Sequence, residues 1–236
     1  MSRWAIIPAR GGSKRIPRKN IRLFAGRPMI HWAIDAAIQS GLFDQIVVST
    51  DDEEVAHCAR EAGASVPFMR PAELADDFTP TRDVINHAIL QCQKLTAPAS
   101  QVCCIYATSP LLQVNDLKNG LACLEEGRYS FVFSATHFPY PIQRALRLLP
   151  SGGVAMFEPA HAKTRSQDLE PAFHDAGMFY WGKTQAFIDR EPMFSERAFP
   201  LIIPPFRVCD LDTAEDWERA EWLKRAIELK NASNAS

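Results

Sequence analysis

Thirteen residues, PARGGSKRIPRKN (Pro8–Asn20), carry five basic side chains, two adjacent glycines and no acid. The cations are Arg10, Lys14, Arg15, Arg18 and Lys19. Guanidinium groups contact phosphate in a bidentate fork, and a lysine ammonium acts as a point charge. Gly11 and Gly12 allow backbone conformations that bring N–H groups close to an anion. The set therefore suits a polyphosphate cradle. A nucleic-acid patch and a solvated turn are the competing uses of the same charge. The loop follows an apolar run, Arg3–Pro8, that reads as a strand. Ligands of open α/β sheets bind beyond the carboxyl ends of strands, which favours the cradle. Neither the Walker spacing GxxxxGK[ST] nor the dinucleotide spacing GxGxxG is present here.

A second candidate lies far along the chain. Asp210 and Asp212 are two residues apart beside the final helical pattern. In an extended segment such positions face one side, so both carboxylates could address one hard cation. Helix capping by Asp212 with a solvated Asp210 explains the pair equally well. His174-Asp175 reads either as a polar recognition pair or as an ordinary turn. A Ser-His-Asp hydrolase is excluded, because Ser13 lies in the basic loop and not in a GxSxG elbow. The six cysteines (Cys58, Cys92, Cys103, Cys104, Cys123, Cys209) lack CxxC spacing and read as small buried apolar residues.

Charge distribution narrows the ligand. The chain has 236 residues and a net charge of −2, yet residues 1–34 hold eight Lys or Arg and no Asp or Glu. The remainder has 18 basic against 28 acidic residues, a net of −10. One electropositive site on an acidic body suits a small polyanion better than nucleic acid. No apolar run approaches the roughly 20 residues that span a bilayer, so no membrane role is expected. MSRWAIIPAR lacks the apolar segment and cleavage site of a secretory signal and reads as the first strand of a cytoplasmic protein. The NAS triplets at Asn231 and Asn234 then read as a polar, frayed tail.

These groups need a scaffold, and with 47% hydrophobic residues the chain can build a sizeable core. Pro28–Gly41 repeats apolar residues at helical spacing between a proline start and a glycine stop. Gln45–Thr50 is a β-branched run that suits a buried parallel strand. Asp52–Gly63 predicts a helix, SVPFM a short strand and Asp83–Gln93 a helix after a polar stretch around Asp76–Thr81. Val102–Ala107 predicts a strand, NDLKNGLACLEEG a helix and Phe131–Ala135 another strand. The βαβαβαβαβ order implies a mostly parallel sheet covered on both faces, an α/β fold. Residues 136–182 break the rhythm with five prolines and an SGG turn, which predicts a small β-rich insertion; AGMFYW then returns to the main sheet. A final helix spans about Ala214 to Lys230, with Thr213 and Asp216 as a capping box and Trp217, Ala220, Leu223 and Ile227 on one face.

IIPARGGSKRIPRKN resembles the N-terminal signature of the sugar-acid cytidylyltransferases, the CMP-sialic acid synthetase family. VVSTDDEEVA, FMRPAEL and CDLDT resemble its later signatures in the same order, so the resemblance covers almost the whole chain. CCIYATSPLLQ, FPYPIQRAL, TRSQDLE and HDAGMFYWG look like the branch that activates pseudaminic acid. Tyr106-Ala107 stands where synthetases for N-acetylneuraminate have Gln-Pro. The resemblance implies a Rossmann-like, GT-A-like nucleotidyltransferase domain over 1–236, with an insertion or dimerisation subdomain at about 136–175, and a homodimer.

The resemblance also implies roles. Arg10 and Lys19 would contact the triphosphate of CTP, with loop contacts from Gly11, Gly12 and Ser13. Asn20 would read the base or sugar, Arg70 would serve the cytidine site, and Thr81 and Thr108 would lie near the nucleotide. On its own, Arg70 also fits a helix-end salt bridge. Asp210 and Asp212 would hold Mg²⁺. Arg165 would take the carboxylate of a nine-carbon sugar acid, with Gln167, His174 and Asp175 reading its amides and hydroxyls. The implied reaction is attack of the anomeric hydroxyl on the α-phosphorus, with pyrophosphate leaving; no residue stands out as a general base. Related acids (legionaminate, N-acetylneuraminate, an eight-carbon acid) are rival substrates. A metal-dependent glycosyltransferase and a non-catalytic nucleotide- or RNA-binding module are rival functions.

Overall fold

The apolar runs pair edge to edge in a computed structural model that describes residues 2–234. In chain order the elements are β1 (Arg3–Pro8), β2 (Leu23–Phe24), β3 (Arg27–Pro28), α1 (Met29–Ser40), β4 (Gln45–Ser49), α2 (Glu53–Glu61), α3 (Thr81–Gln93), β5 (Gln101–Ile105), α4 (Val114–Glu125), β6 (Phe131–His137), β7 (Leu146–Leu148), β8 (Val154–Met156), β9 (Phe173–Lys183), α5 (Thr184–Ile188), β10 (Ala198–Ile202) and α6 (Ala214–Asn234). The central sheet runs β10-β6-β9-β5-β1-β4. β1 lies parallel to both β4 and β5, and β10 lies parallel to β6. β9 runs antiparallel between β5 and β6.

Both faces are covered, so the strands read as unbroken apolar runs. Ala5, Ile7 and Cys103 pack on one face with Ala33 and Ile34 of α1 and Leu117 and Leu121 of α4. Trp4, Ile6 and Cys104 pack on the other with Ile85, Ala88 and Ile89 of α3 and Phe187 of α5. Adjacent Cys103 and Cys104 thus face opposite ways, and all six cysteines are free. α1 ends where Gly41 takes φ 65°, a conformation that side chains disfavour.

A third cluster positions the chemistry. Ile16 of the basic loop and Leu211, between the two aspartates, are buried together with Phe24, Met29, Trp217 and Ala220. Full burial of side chains of this size contributes roughly 1.5–3 kcal/mol each. Segments nearly 200 residues apart are thereby joined. The capping box forms as expected, Thr213 N–H donating to Asp216 Oδ2 at 3.0 Å and Asp216 N–H to Thr213 Oγ1 at 3.1 Å.

The structure departs from the sequence reading at four places. SVPFM is not a strand: Ser65 makes one parallel bridge to Val47, and Pro67 then removes the next donor. AFPLI, unremarked in the sequence, is edge strand β10, where Pro200 is tolerated. The 136–175 insertion holds less β-structure than expected, chiefly the three-residue hairpin β7–β8 and 3-10 turns. The final helix continues to Asn234 rather than fraying at Lys230; Ala235 and Ser236 lie outside the described residues.

Candidate active site

The basic loop leaves β1 at its carboxyl end and forms one wall of a cavity of about 610 Å³. Arg10, Ser13, Lys14, Arg15, Lys19, Asn20, Arg70, Thr81 and Thr108 all line it. Sequence-expected nucleotide residues from four separate segments therefore meet in one place. Gly11 and Gly12 do not line the cavity; they shape its wall. A Cβ on Gly11 would lie 2.4 Å from Asp52 Oδ2, so the close approach of α2 requires glycine there. The Gly11 N–H donates to Asp51 Oδ1 at 3.2 Å. Asn20 Nδ2 donates to the Arg10 carbonyl at 2.8 Å, bracing the loop from inside.

The loop cations are not free. Arg10 and Lys14 both pair with Asp77, at 2.6 and 2.5 Å. Arg15 pairs with Asp212, and Lys19 lies 3.7 Å from the same carboxylate while donating to Leu211 O at 2.7 Å. Arg18 turns away from the cavity and forks onto Asp52 at 2.6 and 3.1 Å, with Glu54 alongside. Burial pulls the Lys19 ammonium below the ordinary lysine range, against the opposing pull of Asp212 and Asp210. Burial also lowers Arg70, whose Nη2 donates to Asp51 at 3.2 Å. The buried Arg70 Nε has no hydrogen-bond partner, an orphan donor beside the cavity.

A second cavity of about 680 Å³ adjoins the first and shares Tyr106 and Thr108 with it. His174, Asp175, Asp210 and Arg219 line this second space. Tyr106 and Tyr180 pack edge to face with ring centroids 5.7 Å apart. Tyr106 hydroxyl and Thr81 Oγ1 are 3.0 Å apart, and the Tyr180 hydroxyl donates to Asp175. The Gly177 N–H holds the other Asp175 oxygen at 2.8 Å. Burial pushes Tyr106 up to about 12 and Tyr180 higher still, so both hydroxyls keep their protons at neutral pH.

Arg165 and Gln167 are not brought to this space. Both are exposed on the insertion, and Arg165 forks onto Asp168 at 2.7 and 3.0 Å. Asp210 and Asp212 also separate in role. Asp212 is committed to Arg15 and Lys19, whereas the exposed Asp210 carboxylate has no hydrogen-bond or ion-pair partner among the described residues. Arg207 anchors the segment that carries Asp210, through a buried fork onto Asp116 at 2.5 and 2.9 Å.

The cytidylyltransferase family model matches residues 4–230. The chain belongs to the cytidylyltransferase family. It is 45% identical to pseudaminic acid cytidylyltransferase of Campylobacter jejuni subsp. jejuni (serotype O:23/36, strain 81-176), over 94% of this chain and 96% of that one. It is 31% identical to CMP-N,N'-diacetyllegionaminic acid synthase of Legionella pneumophila, over 93% and 94% of the two chains. The fold matches that of CMP:2-keto-3-deoxy-manno-octonic acid synthetase complexed with CTP, with TM-score 0.70, 15% identity and 96% and 99% coverage. This cytidylyltransferase therefore has the nucleotidyltransferase architecture that its opening motif implied.

Several residues at the site were not singled out from sequence. Asp76, Asp77 and Thr79 line the first cavity and Arg219 the second. A run of eight cations with no acid demands counter-ions from elsewhere in the chain, and the DD of LADDFTPT was a signal for them. Nothing in the local pattern marks Arg207, whose partner Asp116 is distant in the chain, whereas Arg219 pairs with Asp216 one turn earlier on α6, at 3.3 Å.

Proposed function

We propose that this cytidylyltransferase couples CTP to a nonulosonic acid, with pseudaminic acid as its preferred substrate. The observation that carries the reading is the junction of two cavities at Tyr106 and Thr108, one walled by cations and the other by mixed polar groups. The near full-length match to the Campylobacter enzyme supports the choice of acid. The first cavity takes the triphosphate on Arg10, Lys14, Arg15 and Lys19. The oxygen of Asn20, its nitrogen spent on the loop, suits the amine of cytosine. Arg70 and Thr81 complete the nucleoside contacts.

The second cavity takes the sugar acid, with His174 and Asp175 reading its polar substituents. Arg219 lines this cavity although it also pairs with Asp216 at 3.3 Å, and we assign the carboxylate to it in place of Arg165, which lines neither cavity. The anomeric oxygen then attacks the α-phosphorus across the shared wall, and the bond to pyrophosphate breaks. Orientation by the two cavities and the cations around the leaving group lower the barrier.

The donor set fits a magnesium ion. Among the described residues no cluster of three or more acidic, His or Cys ligands exists, and Mg²⁺ typically takes one or two carboxylates plus phosphates. Asp210 is free to serve, and Asp212 becomes free once phosphates claim Arg15 and Lys19. When bound, the ion would neutralise charge on the phosphates. A homodimer is part of the same proposal, supported by the exposed Tyr140, Leu148, Val154 and Phe157 of the insertion. Cytoplasmic location is another part, consistent with use of CTP; no described helix is long and apolar enough to cross a membrane.

Pyrophosphate release from CTP is the test, with pseudaminic, legionaminic, N-acetylneuraminic and eight-carbon acids offered in parallel, with and without Mg²⁺. The highest kcat/KM is expected for pseudaminic acid. A clear preference for another acid overturns the substrate assignment, and no release with any acid overturns the function.

A further inference from the structure

The first cavity contains one feature that nucleotidyl transfer does not need. Asp77 places one carboxylate oxygen on Arg10 Nη1 at 2.6 Å and the other on Lys14 Nζ at 2.5 Å. Arg10 Nη1 also donates to the Asp76 carbonyl at 2.9 Å. The acid is held there by a tight turn. Asp76 Oδ1 accepts from the N–H groups of Phe78 and Thr79, at 3.0 and 2.6 Å, and from Thr79 Oγ1 at 2.6 Å. Asp76, Asp77 and Thr79 all line the cavity with the cations. One anionic group thus bridges two cations, as adjacent oxygens of a phosphate chain would.

A phosphate chain and Asp77 cannot both hold Arg10 and Lys14 without bringing like charges together, a repulsion that solvent weakens at these exposed groups but does not remove. Their occupancy must therefore be competitive. CTP competes with help, because its base and ribose are anchored elsewhere and raise the local concentration of its phosphates. Pyrophosphate loses that help once the α-phosphorus bond breaks.

We propose that Asp77 is an internal competitor for the phosphate site that recaptures Arg10 and Lys14 and expels pyrophosphate after transfer. This rests on the assignment of the first cavity to CTP. Two exposed ion pairs of ordinary strength set the scale, so removing the competing charge tightens phosphate binding by roughly three- to tenfold.

Isothermal titration of CTP and of pyrophosphate, each with and without Mg²⁺, tests this on the wild type, D77N and a charge control, E126Q. Glu126 pairs with Arg128 on the surface and does not line either cavity. D77N is expected to bind both ligands three- to tenfold tighter, with a matching drop in the pyrophosphate inhibition constant during turnover, while E126Q is unchanged. Unchanged or weaker pyrophosphate binding by D77N overturns the inference. So does an equal gain in E126Q, which would mean a general field effect. Weakening of D77N confined to magnesium-containing samples also overturns it, because Asp77 would then serve the metal. Wild-type protein that binds neither ligand overturns the CTP assignment itself, and the inference with it; wild-type binding without a gain in D77N overturns the inference alone.

Discussion

Replacing Arg207 by Met removes one half of an ion pair that is almost fully buried. Arg207 is 8% exposed and Asp116 6%. Both carboxylate oxygens are engaged, at 2.5 and 2.9 Å. R207M leaves Asp116 charged and buried with only the Gln113 N–H, at 3.0 Å, still donating to it. Breaking one side of a buried pair costs about 3–5 kcal/mol. For a chain of this size each kcal/mol shifts the melting midpoint by roughly 2–4 °C, so a fall of about 6–20 °C is expected. The double variant D116L/R207M removes both charges and recovers most of the loss. It keeps a deficit of about 1 kcal/mol, because the Gln113 N–H loses its cap. Urea melts followed by circular dichroism of wild type, R207M, D116L and the double variant give the three free-energy differences, and the coupling between the two sites is read from the cycle. Single and double losses that simply add would refute the reasoning, since the cost would then lie in packing and not in a stranded charge.

D210N should keep the wild-type melting midpoint yet lower turnover at least about 100-fold, the scale of losing one group that stabilises transition-state charge; near-normal turnover in the folded variant removes Asp210 from the site. Burial lowers Lys19, so it sheds its proton at a lower pH than an exposed lysine, and CTP binding should weaken as pH rises through that ionisation. K19R keeps its charge throughout, so the alkaline fall in CTP binding should move to higher pH, and an unmoved profile contradicts the assignment. Y180F strips the donor from Asp175. It should raise KM for the sugar acid about tenfold while leaving KM for CTP alone, and parallel changes in both would show that the tyrosine serves general packing.

The parallel core was legible because both faces of the sheet are covered: residues 4–8, 46–48 and 102–105 are apolar without interruption. The placement of β9 between β5 and β6 was not, since a strand pattern specifies faces and not neighbours. β10 was hidden by Pro200, and SVPFM was over-read because β-branched and aromatic residues flank Pro67. That Arg10, Lys19 and Arg70 would come together at one cavity was legible from charge and motif order. Arg165 lines neither cavity within one chain and pairs instead with Asp168, one helical turn away. Side-chain partners three residues apart compete with any distant role, and spacing alone does not reveal which contact wins.

The counter-ions divide the loop cations by function. Arg18 meets Asp52 through a two-bond fork, with Glu54 added, and points out of the cavity. That pairing is architectural: it fixes the loop to the first turn of α2, where Asp52 also caps Val55 N–H at 3.0 Å. Arg10, Lys14, Arg15 and Lys19 instead share two acids, Asp77 and Asp212, from separate segments. Counting Arg70 with them gives five cations against four acids, Asp76, Asp77, Asp51 and Asp212, so a net charge of about +1 remains at the cavity wall. The surplus attracts a polyphosphate, while the shared acids hold four like charges in position before it arrives. A loop preorganised this way spends less binding energy on ordering its side chains. Under the proposed assignment, phosphates that draw off Arg15 and Lys19 would release the Asp212 carboxylate, two residues from Asp210 in the chain.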